Sequence, residues 1–510
     1  MGVQIEWGTK LERMREISTG VLIETTSSSS SSSSSTEPSR CIADYLVGCD
    51  GAHSTVRHLC NLDFPGESFG GHWFLIAHGK LKHFGEEDIW NKDLPIFINE
   101  MGVCMVVPFH DETYEIVVDV PLERGKKLGN SMKSPTPEQF EEIMHERIPS
   151  KYKLYDTIWT SGFTVHSRQA TSYQSGNRVF MCGDACHIHS PVGGQGMNYG
   201  MQDAFNLAWK LAAVLSSRAL PTLLSSYDQE RRRAGQDLVH RTEIQTKGMM
   251  NSGAIQNNET LKAAMTTALQ AAQKYGLMDM ISKGAIAPFL SQVSVSYNKS
   301  PLRAEHWELE PPVLNLTRML HRRQVGLTKF FRARPAMGSR APNIIVKKSS
   351  TPTYIHSLFA SGGRFTALLF HPRKGWKDQM RWHGGQDTNL ESVAWELEVL
   401  SEGLVKCVII EEDEEEAQEV YGVWGQCLYL IRPDGYLAFR SQPINLRAIS
   451  AFLSHRIGLN GVRQIMPNEW EEGVNPIEVV EQRVMRLSFL VFFLVVISLF
   501  QLYLTYSLWK

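Results

Sequence analysis

The most constraining feature of this chain is the stretch GDACHIHSPVGGQGMN, residues 183–198. It follows RVFMC, an apolar segment typical of a buried strand, and apolar residues recur at helical spacing from Met197 to Leu215. Asp184 therefore lies at the carboxyl end of a predicted strand. The glycines just before the helix have no Cβ, so a ligand can approach the backbone closely. In open α/β sheets, a turn of this kind is where nucleotides bind.

The chemistry of this stretch favours a ligand with both hydroxyl groups and negative charge. The Asp184 carboxylate only accepts hydrogen bonds, and ribose-type hydroxyls can supply them. The helix that starts near Met197 presents free N–H groups and its positive dipole end, which favour an anion. A ribose-bearing cofactor that becomes anionic during turnover meets both conditions, and reduced flavin is such a cofactor.

Two other interpretations of the stretch remain open at this point. The glycines alone are compatible with a plain turn between strand and helix. A zinc site is the other alternative, although its spacing matches no familiar zinc motif and one sharp turn does not easily give tetrahedral geometry. Its four ligands would be Cys182, Cys186, His187 and His189.

A second stretch, YLVGCDGAHSTVR, residues 45–57, repeats the pattern. Asp50 and Gly51 end a predicted strand, Ser54 is a candidate helix N-cap, and Arg57 follows one turn later. Alone this is compatible with an ordinary capped helix. Two Asp/Gly turns at strand ends in one chain together strengthen the prediction of a nucleotide site.

Composition limits the other options. The 510 residues include 52 basic and 54 acidic side chains, a formal net charge of −2, so a nucleic-acid partner is not indicated. The eight cysteines contain no C-x-x-C pair, which fits a reducing compartment and argues against a dithiol redox motif.

The last part of the chain predicts a membrane anchor. Residues 487–509 carry no charge and, at about 1.5 Å per residue, would span a bilayer core of about 30 Å. Arg483 and Arg486 precede the segment, which places the body of the protein on the cytoplasmic side. A buried core helix is the alternative. The predicted localisation is a membrane, through a single-pass C-terminal anchor.

Between these features the chain alternates in character. Residues 1–25 alternate as strands do, and the serine run 27–35 is predicted to be an enlarged hairpin loop. Strands separated by turns fill 72–175, with an inserted helix, PEQFEEIMHERI, and predict a mixed sheet. Helical character runs from Met197 to about residue 290, and a small α/β domain follows after a proline-rich boundary.

Both motifs resemble fingerprints of one family. GCDGAHSTVR resembles the second fingerprint of the FAD-dependent aromatic hydroxylases, the para-hydroxybenzoate hydroxylase-like flavoprotein monooxygenases. GDACHIHSPVGGQGMNYGMQDAFNLAWKLA is similar to their third, in the form typical of the phenol hydroxylase branch, which carries a C-terminal thioredoxin-like domain. SRAPNIIV, GRFTALLF and YLIRPDGYLAFR fall where that domain is expected, so the resemblance covers roughly residues 1–465.

The resemblance implies FAD and NAD(P)H as cofactors and a flavin C4a-hydroperoxide that hydroxylates a phenol-like ring. It implies that Asp184 lies near the ribityl chain and pyrophosphate, that Pro191 lines the flavin, and that Asp50 serves both FAD and the NADPH encounter. Arg168 matches a position that faces substrate, with a structural salt bridge as its alternative. The implied cofactor-binding residues are Asp50, Gly51, Arg57, Gly183, Asp184, Pro191, Gly194, Gly196, Met197 and Asn198.

The family's first fingerprint, G-x-G-x-x-G after an initial strand, is not in these 510 residues. Two hypotheses follow: an FAD-dependent monooxygenase, or a truncated, non-catalytic membrane-anchored protein that keeps the fold for partner binding. The expected partners are a small aromatic substrate and the membrane, no nucleic acid is expected, and a homodimer is left open.

The predicted fold is α/β: a partial, Rossmann-like FAD-binding domain, an inserted mixed-sheet substrate domain, a thioredoxin-like domain and one transmembrane helix. The predicted boundaries are 1–65 and 176–250 for the two parts of the FAD-binding domain, 66–175 for the substrate domain, 251–340 for a helical region and linker, 341–465 for the thioredoxin-like domain and 487–509 for the anchor.

Overall fold

A computed structural model of the chain describes most of the first 462 residues. The described residues are 2–27, 38–83, 96–99, 102–109, 112–120, 124, 127, 132–148, 152–190, 195–250, 295–307, 335–348, 351–372, 388–423 and 425–462. Within them, no helix is both long and apolar enough to cross a bilayer. The anchor predicted for 487–509 and the helical pattern predicted beyond residue 250 up to about residue 290 lie outside the described residues.

The first sheet is an antiparallel meander. Its strands are β1 (Thr9–Ile17), β2 (Gly20–Ser27) and β3 (Ser39–Ala43). Thr25 pairs with Ser39, so β2 and β3 are the two arms of a hairpin that the serine-rich segment joins, as the sequence predicts. Val21 in the middle strand is fully buried, which fixes which face of this small sheet packs inward.

The next elements build a six-stranded sheet. After β4 (Leu46–Gly48) and α1 (Thr55–Leu59), the chain forms β5 (Gly66–His83), β6 (Ile96–Asn99), β7 (Gly102–Pro108), β8 (Tyr114–Val120), α2 (Pro137–His145) and β9 (Tyr152–Gln169). The mixed sheet predicted for this region is wrong in one respect. Every described strand pair in it is antiparallel, because β6 to β8 are joined by short hairpin connections rather than crossovers.

Helix α2 covers one face of that sheet, as the sequence predicts. Thr136 caps it, its hydroxyl accepting from the Gln139 N–H while the Gln139 side chain accepts from the Thr136 N–H. Phe140 and Met144 are fully buried against the sheet. The opposite face carries a second apolar cluster around Phe74 and Val165.

A smaller sheet brings distant parts of the chain together. After β9 come β10 (Gln174–Ser175), β11 (Val179–Met181) and β12 (His187–Ile188). Strand β11 lies between β10 and β4, parallel to β4, so segments predicted as two parts of one FAD-binding domain pair directly. Strand β12 joins the edge of the six-stranded sheet beside β9.

Two long helices follow, α3 (Gly196–Leu215) and α4 (Ser225–Met250). Helix α3 begins where the sequence predicts, but part of its predicted apolar stripe does not face the core. Met197, Met201 and Leu215 are 76%, 54% and 56% exposed. The buried face combines Tyr199, Leu207 and Trp209 with Asp203, Asn206 and Lys210, and the buried charges require partners from neighbouring elements.

The C-terminal elements form a five-stranded sheet with helices. They are β13 (Ala304–Trp307), β14 (Ile345–Lys348), β15 (Thr351–Tyr354), β16 (Phe365–Phe370), α5 (Leu390–Leu400), β17 (Val405–Ile410), α6 (Glu415–Tyr421), β18 (Cys427–Ile431), β19 (Leu437–Gln442) and α7 (Leu446–Ala451). The order of the five-stranded sheet is β13–β19–β18–β16–β17, and β14 and β15 pair with each other as a separate antiparallel sheet. Strand β13 lies in the segment predicted as helix and linker, and it is a strand because its backbone pairs with β19.

A buried charge cluster joins this C-terminal sheet to the two long helices. We call Lys210, Glu230, Arg432 and Asp434 the buried tetrad; all four are nearly inaccessible to solvent. Lys210 Nζ donates to Glu230 Oε2 at 2.8 Å, and Arg432 Nη2 donates to the same oxygen at 2.9 Å. Arg432 Nε also donates to Asp434 Oδ1 at 2.9 Å. Two cations and two anions therefore neutralise one another across three segments of the chain.

Candidate functional site

The two motifs meet at one edge of the small sheet. Strands β4 and β11 are parallel neighbours, and the Cys182 N–H donates to the Gly48 carbonyl at 2.9 Å. The loops that follow both strands therefore leave the sheet side by side at its carboxyl edge. Open α/β sheets bind nucleotides at such an edge, and the two Asp/Gly turns that together indicate a nucleotide site meet there.

The loop after β4 is held by its own capping bonds. Asp50 Oδ2 accepts from the Val56 N–H at 3.1 Å, and Ser54 Oγ accepts from the Arg57 N–H at 2.9 Å, which confirms Ser54 as the N-cap of α1. Gly51 has φ +80°, and no atom lies within 4 Å of the position a Cβ would take. The Asp50 side chain remains exposed, with its second oxygen available to a ligand.

Arg57 connects the two loops. It is 3% exposed, and its Nη1 donates to the Ala185 carbonyl at 2.9 Å while Nη2 donates to the Ala52 carbonyl at 2.9 Å. Its guanidinium also stacks over Phe64 at 3.9 Å from the ring centroid. These contacts set the spacing of the loops, so the structure places Arg57 between the predicted cofactor residues.

The loop after β11 turns sharply and exposes a carboxylate. Gly183–Ala185 form a single 3₁₀ turn, with Gly183 at φ +60°. A Cβ on Gly183 would lie 3.6 Å from the Cα of Gly200, so this turn packs closely against α3. Asp184 is exposed, and its carboxylate has no hydrogen-bond partner within the described part of the chain. Pro191 and Gly194 lie outside the described residues.

The N-terminal part of α3 packs against the turn at Gly183. No side chain caps the helix at Gln195, and Met197 and Asn198 are exposed beside Gly196. The first N–H groups of a helix have no partner within the helix, so they remain available to an acceptor. The exposed Asp184 carboxylate thus lies in a turn that packs against the N-terminal part of α3, at Gly200.

Sequence reasoning missed Asp203, the buried centre of this site. Its Oδ2 accepts from the Gly183 N–H at 3.1 Å and lies 2.7 Å from His187 Nε2. Its Oδ1 accepts from Arg231 Nε at 2.6 Å. Burial alone would raise the pKa of Asp203, but Arg231 and His187 hold it below the usual value. The available signal was a polar stripe on α3, formed by Asp203, Asn206 and Lys210.

The zinc alternative does not fit this geometry. The ligand atoms of Cys186, His187 and Asp203 do lie within 4.8 Å of one another. The Asp203 carboxylate, however, is already paired with a guanidinium, and Cys182 lies against the Tyr227 hydroxyl at 3.1 Å. The four residues considered from the sequence therefore have separate partners, and hydrogen bonds account for this cluster.

Arg168 lies on β9, beside residues 183–198. It pairs across the sheet with Ile188 of β12 and with Gly66 of β5. Its Nη2 donates to Ser68 Oγ at 2.9 Å, and that hydroxyl also bonds His166 Nδ1 at 2.9 Å. Among the described residues, no ion pair involves Arg168, so the structural salt bridge considered as an alternative is not observed.

Acidification is expected to destabilise the protein through His189. Burial lowers the pKa of its imidazole, against the opposing effect of its hydrogen bond to the Ser190 carbonyl. The unfolded chain then binds a proton at higher pH than the folded chain, so stability falls as the pH drops below about 6.5. In denaturant unfolding at about pH 7.5 and about pH 5.5, His189→Asn should reduce the loss of stability. His58→Asn, an exposed control, should leave it unchanged, and equal losses in wild type and His189→Asn would contradict the assignment.

The two loops at the carboxyl edge of β4 and β11 have the arrangement expected of a nucleotide-binding domain. Residues 1–242 match the family model described as FAD binding domain. Over 250 residues the chain is 32% identical to 12-dehydrotetracycline 5-monooxygenase/anhydrotetracycline 6-monooxygenase of Streptomyces rimosus, covering 48% of this chain and 47% of that protein. It is 30% identical over 253 residues to pentachlorophenol 4-monooxygenase of Sphingobium chlorophenolicum, covering 49% and 44%. Residues 1–242 are therefore similar to an FAD-binding domain, and the relatives matched over about the same length are named as monooxygenases.

Solved structures show the same fold over more of the chain. The OxyS anhydrotetracycline hydroxylase from Streptomyces rimosus superposes with a TM-score of 0.60 at 24% identity, covering 90% of this chain and 76% of that one. The flavin-dependent monooxygenase PieE, solved with FAD and substrate, gives a TM-score of 0.64 at 18% identity, covering 88% and 76%. The sequence matches to the curated relatives span about half of their length.

Proposed function

We propose that this protein is an FAD-dependent monooxygenase that hydroxylates a small, phenol-like aromatic substrate with NAD(P)H and O₂. The observation that carries the proposal is the exposed Asp184 carboxylate, which has no hydrogen-bond partner among the described residues, in a turn that packs against α3, whose Gln195 provides no side-chain cap. The two features offer an acceptor for sugar hydroxyls and N–H donors for an anion. The match of residues 1–242 to an FAD-binding domain and the similarity to named monooxygenases support the same conclusion.

The residues of this chain would bind and orient the cofactor. Asp184 would accept from the ribityl chain, and the first N–H groups of α3 would stabilise negative charge on the ring. Gly51 and Gly183 would allow the backbone to approach the ligand closely. The bound flavin would supply the activation of O₂ and the transfer of one oxygen atom, which no side chain can provide.

The substrate is proposed to lie near Arg168. Within the described residues, the Arg168 guanidinium donates to the Ser68 hydroxyl, and its buried Nε has no hydrogen-bond partner. A phenolate-type oxygen would satisfy this group. The position of Arg168 supports the proposal, because Arg168 lies directly beside β12, a strand within residues 183–198.

We propose that the C-terminal sheet is a thioredoxin-like domain, as the sequence predicts. In support, β16 and β17 are parallel and connected through α5, while β18 and β19 are antiparallel additions on the other side of β16. Helix α7 follows the last strand. The buried tetrad gives this domain a structural role, since Arg432 and Asp434 hold the two long helices.

A membrane location is proposed on the sequence of residues 487–509 alone. An anchored body facing the cytoplasm would meet apolar aromatic substrates at the bilayer surface. Fractionation of cells that express the full chain, before and after deletion of 487–510, tests this. Recovery of both forms in the membrane-free fraction would reject the anchor.

Flavin binding is the decisive test of the proposed function. The full-length protein should take up added FAD and show flavin absorption after removal of free cofactor. Asp184→Ala should weaken binding roughly 10- to 150-fold, because a hydrogen bond to a charged group contributes about 1.5–3 kcal/mol. Asp44→Ala removes an exposed carboxylate near the opposite end of β4 and should bind as wild type does. A wild-type protein that takes up no FAD would reject the function, whereas unchanged binding by Asp184→Ala would reject only the ribityl contact.

A further inference from the structure

Two thiols meet where the two motifs leave the small sheet. The register of β11 on β4 pairs Phe180 with Val47 and Met181 with Gly48, and the next position places Cys182 opposite Cys49. Neighbouring strands lie about 4.8 Å apart, and disulfides form between Cα atoms about 4.4–6.8 Å apart. The backbone hydrogen bond from Cys182 to Gly48 keeps the two positions aligned.

The two thiols differ in exposure and acidity. Cys49 is exposed, whereas Cys182 is 4% exposed and lies against the Tyr227 hydroxyl. The hydrogen bond from Cys182 lowers the pKa of Cys49 to about 7, despite the opposing effects of burial and of Asp50. The same bond and burial raise the pKa of Cys182. At neutral pH Cys49 is therefore the thiol of the pair that ionises more readily, whereas Cys182 keeps its proton.

We propose that Cys49 and Cys182 are an oxidisable dithiol that hydrogen peroxide converts into a disulfide. The Cys49 thiolate attacks peroxide and, with one proton taken up, gives a sulfenic acid and water. The Cys182 sulfur then attacks the Cys49 sulfur, and its proton leaves with the displaced hydroxide as a second water. The net change is two thiols and one peroxide to one disulfide and two waters.

The position of this pair gives the oxidation a local consequence. Cys49 immediately precedes Asp50, and Cys182 precedes Gly183 and Asp184. A disulfide would link the two loops that Arg57 already connects, next to Asp50 and Asp184, where the cofactor is proposed to bind. The formation of the disulfide does not depend on FAD, so it can be tested whether or not the protein holds the cofactor.

The test is peroxide oxidation of the full-length protein followed by thiol counting and peptide mass mapping. Free thiols measured after unfolding should fall from eight to six per chain. A linked peptide pair carrying Cys49 and Cys182 should appear, two hydrogens lighter than the sum of its parts, and dithiothreitol should reverse both changes.

Single variants assign the bond, because each proteolytic peptide carries a second cysteine nearby. Cys49→Ser and Cys182→Ser should each abolish the linked pair, whereas Cys41→Ser and Cys186→Ser should leave it intact. A link that persists without Cys49, or oxidation of wild-type Cys49 to sulfinic acid with no link, would overturn the proposal. The wild-type mass map decides the matter even where a serine at the buried position 182 impairs folding.

Discussion

Glu230→Ala is expected to lower the free energy of unfolding by about 3–5 kcal/mol, because it leaves two buried cations without their shared anion. Lys210 and Arg432 both donate to Glu230, and all three side chains are sealed from solvent. Although burial raises it, the pKa of Glu230 is held well below its usual value by Arg432 and Lys210. Burial in turn lowers the pKa of Lys210 to about 8, so its charge depends on that carboxylate.

Chemical denaturation of Glu230→Ala against wild type measures this effect. The matched control is Glu243→Ala on the same helix, which removes a solvent-exposed pairing with Lys247 at an i,i+4 spacing. Surface pairs of this kind contribute little, so the control should remain close to wild type. Equal, small losses in both variants would show that the buried tetrad does not hold the C-terminal sheet to the long helices.

Arg231→Met is expected to lower the free energy of unfolding by a similar amount, about 3–5 kcal/mol, because it leaves the buried Asp203 carboxylate without its cation. Arg231 also donates to the Tyr199 carbonyl and to the Tyr297 hydroxyl, at 3.2 and 3.1 Å. Because Asp203 accepts from the Gly183 N–H, this loss should loosen the turn that presents Asp184.

The control for this variant is the adjacent residue. Arg232→Met removes a 45% exposed side chain that pairs with Asp228 one turn away, and it should unfold at nearly the wild-type denaturant concentration. Calorimetric titration with FAD provides a second measurement, in which Arg231→Met should bind more weakly than Arg232→Met. If the two variants matched in both experiments, Asp203 and Arg231 would have no part in shaping the site.

Local features of the site could be predicted from the sequence because neighbouring residues produce them. Ser54 caps α1 through a bond three residues away, and Gly183 supplies a positive φ where β11 must turn. The start of α3 follows from the change of period at Met197. Each of these depends on a few consecutive residues, so no knowledge of the remaining fold is needed.

The buried face of α3 could not be predicted in the same way. An apolar stripe at helical spacing indicates a helix, and the usual expectation is that this stripe packs inward. Here Met197 and Met201 point outward, while Asp203 and Lys210 are fully buried. The partners that make this burial favourable are 28 and 20 residues away on α4, and sequence spacing does not reveal them.

The amino-acid sequence by itself determined the strand, turn and helix of each motif, the glycines of the turns and the resemblance of both motifs to the FAD-dependent aromatic hydroxylases. Only the tertiary structure decided which charges are buried together and which thiols adjoin. Arg432 lies 202 residues from Glu230, and Cys182 faces Cys49 solely because β11 pairs with β4. Contacts between distant segments depend on strand pairing and charge neutralisation in three dimensions, and a local pattern encodes neither.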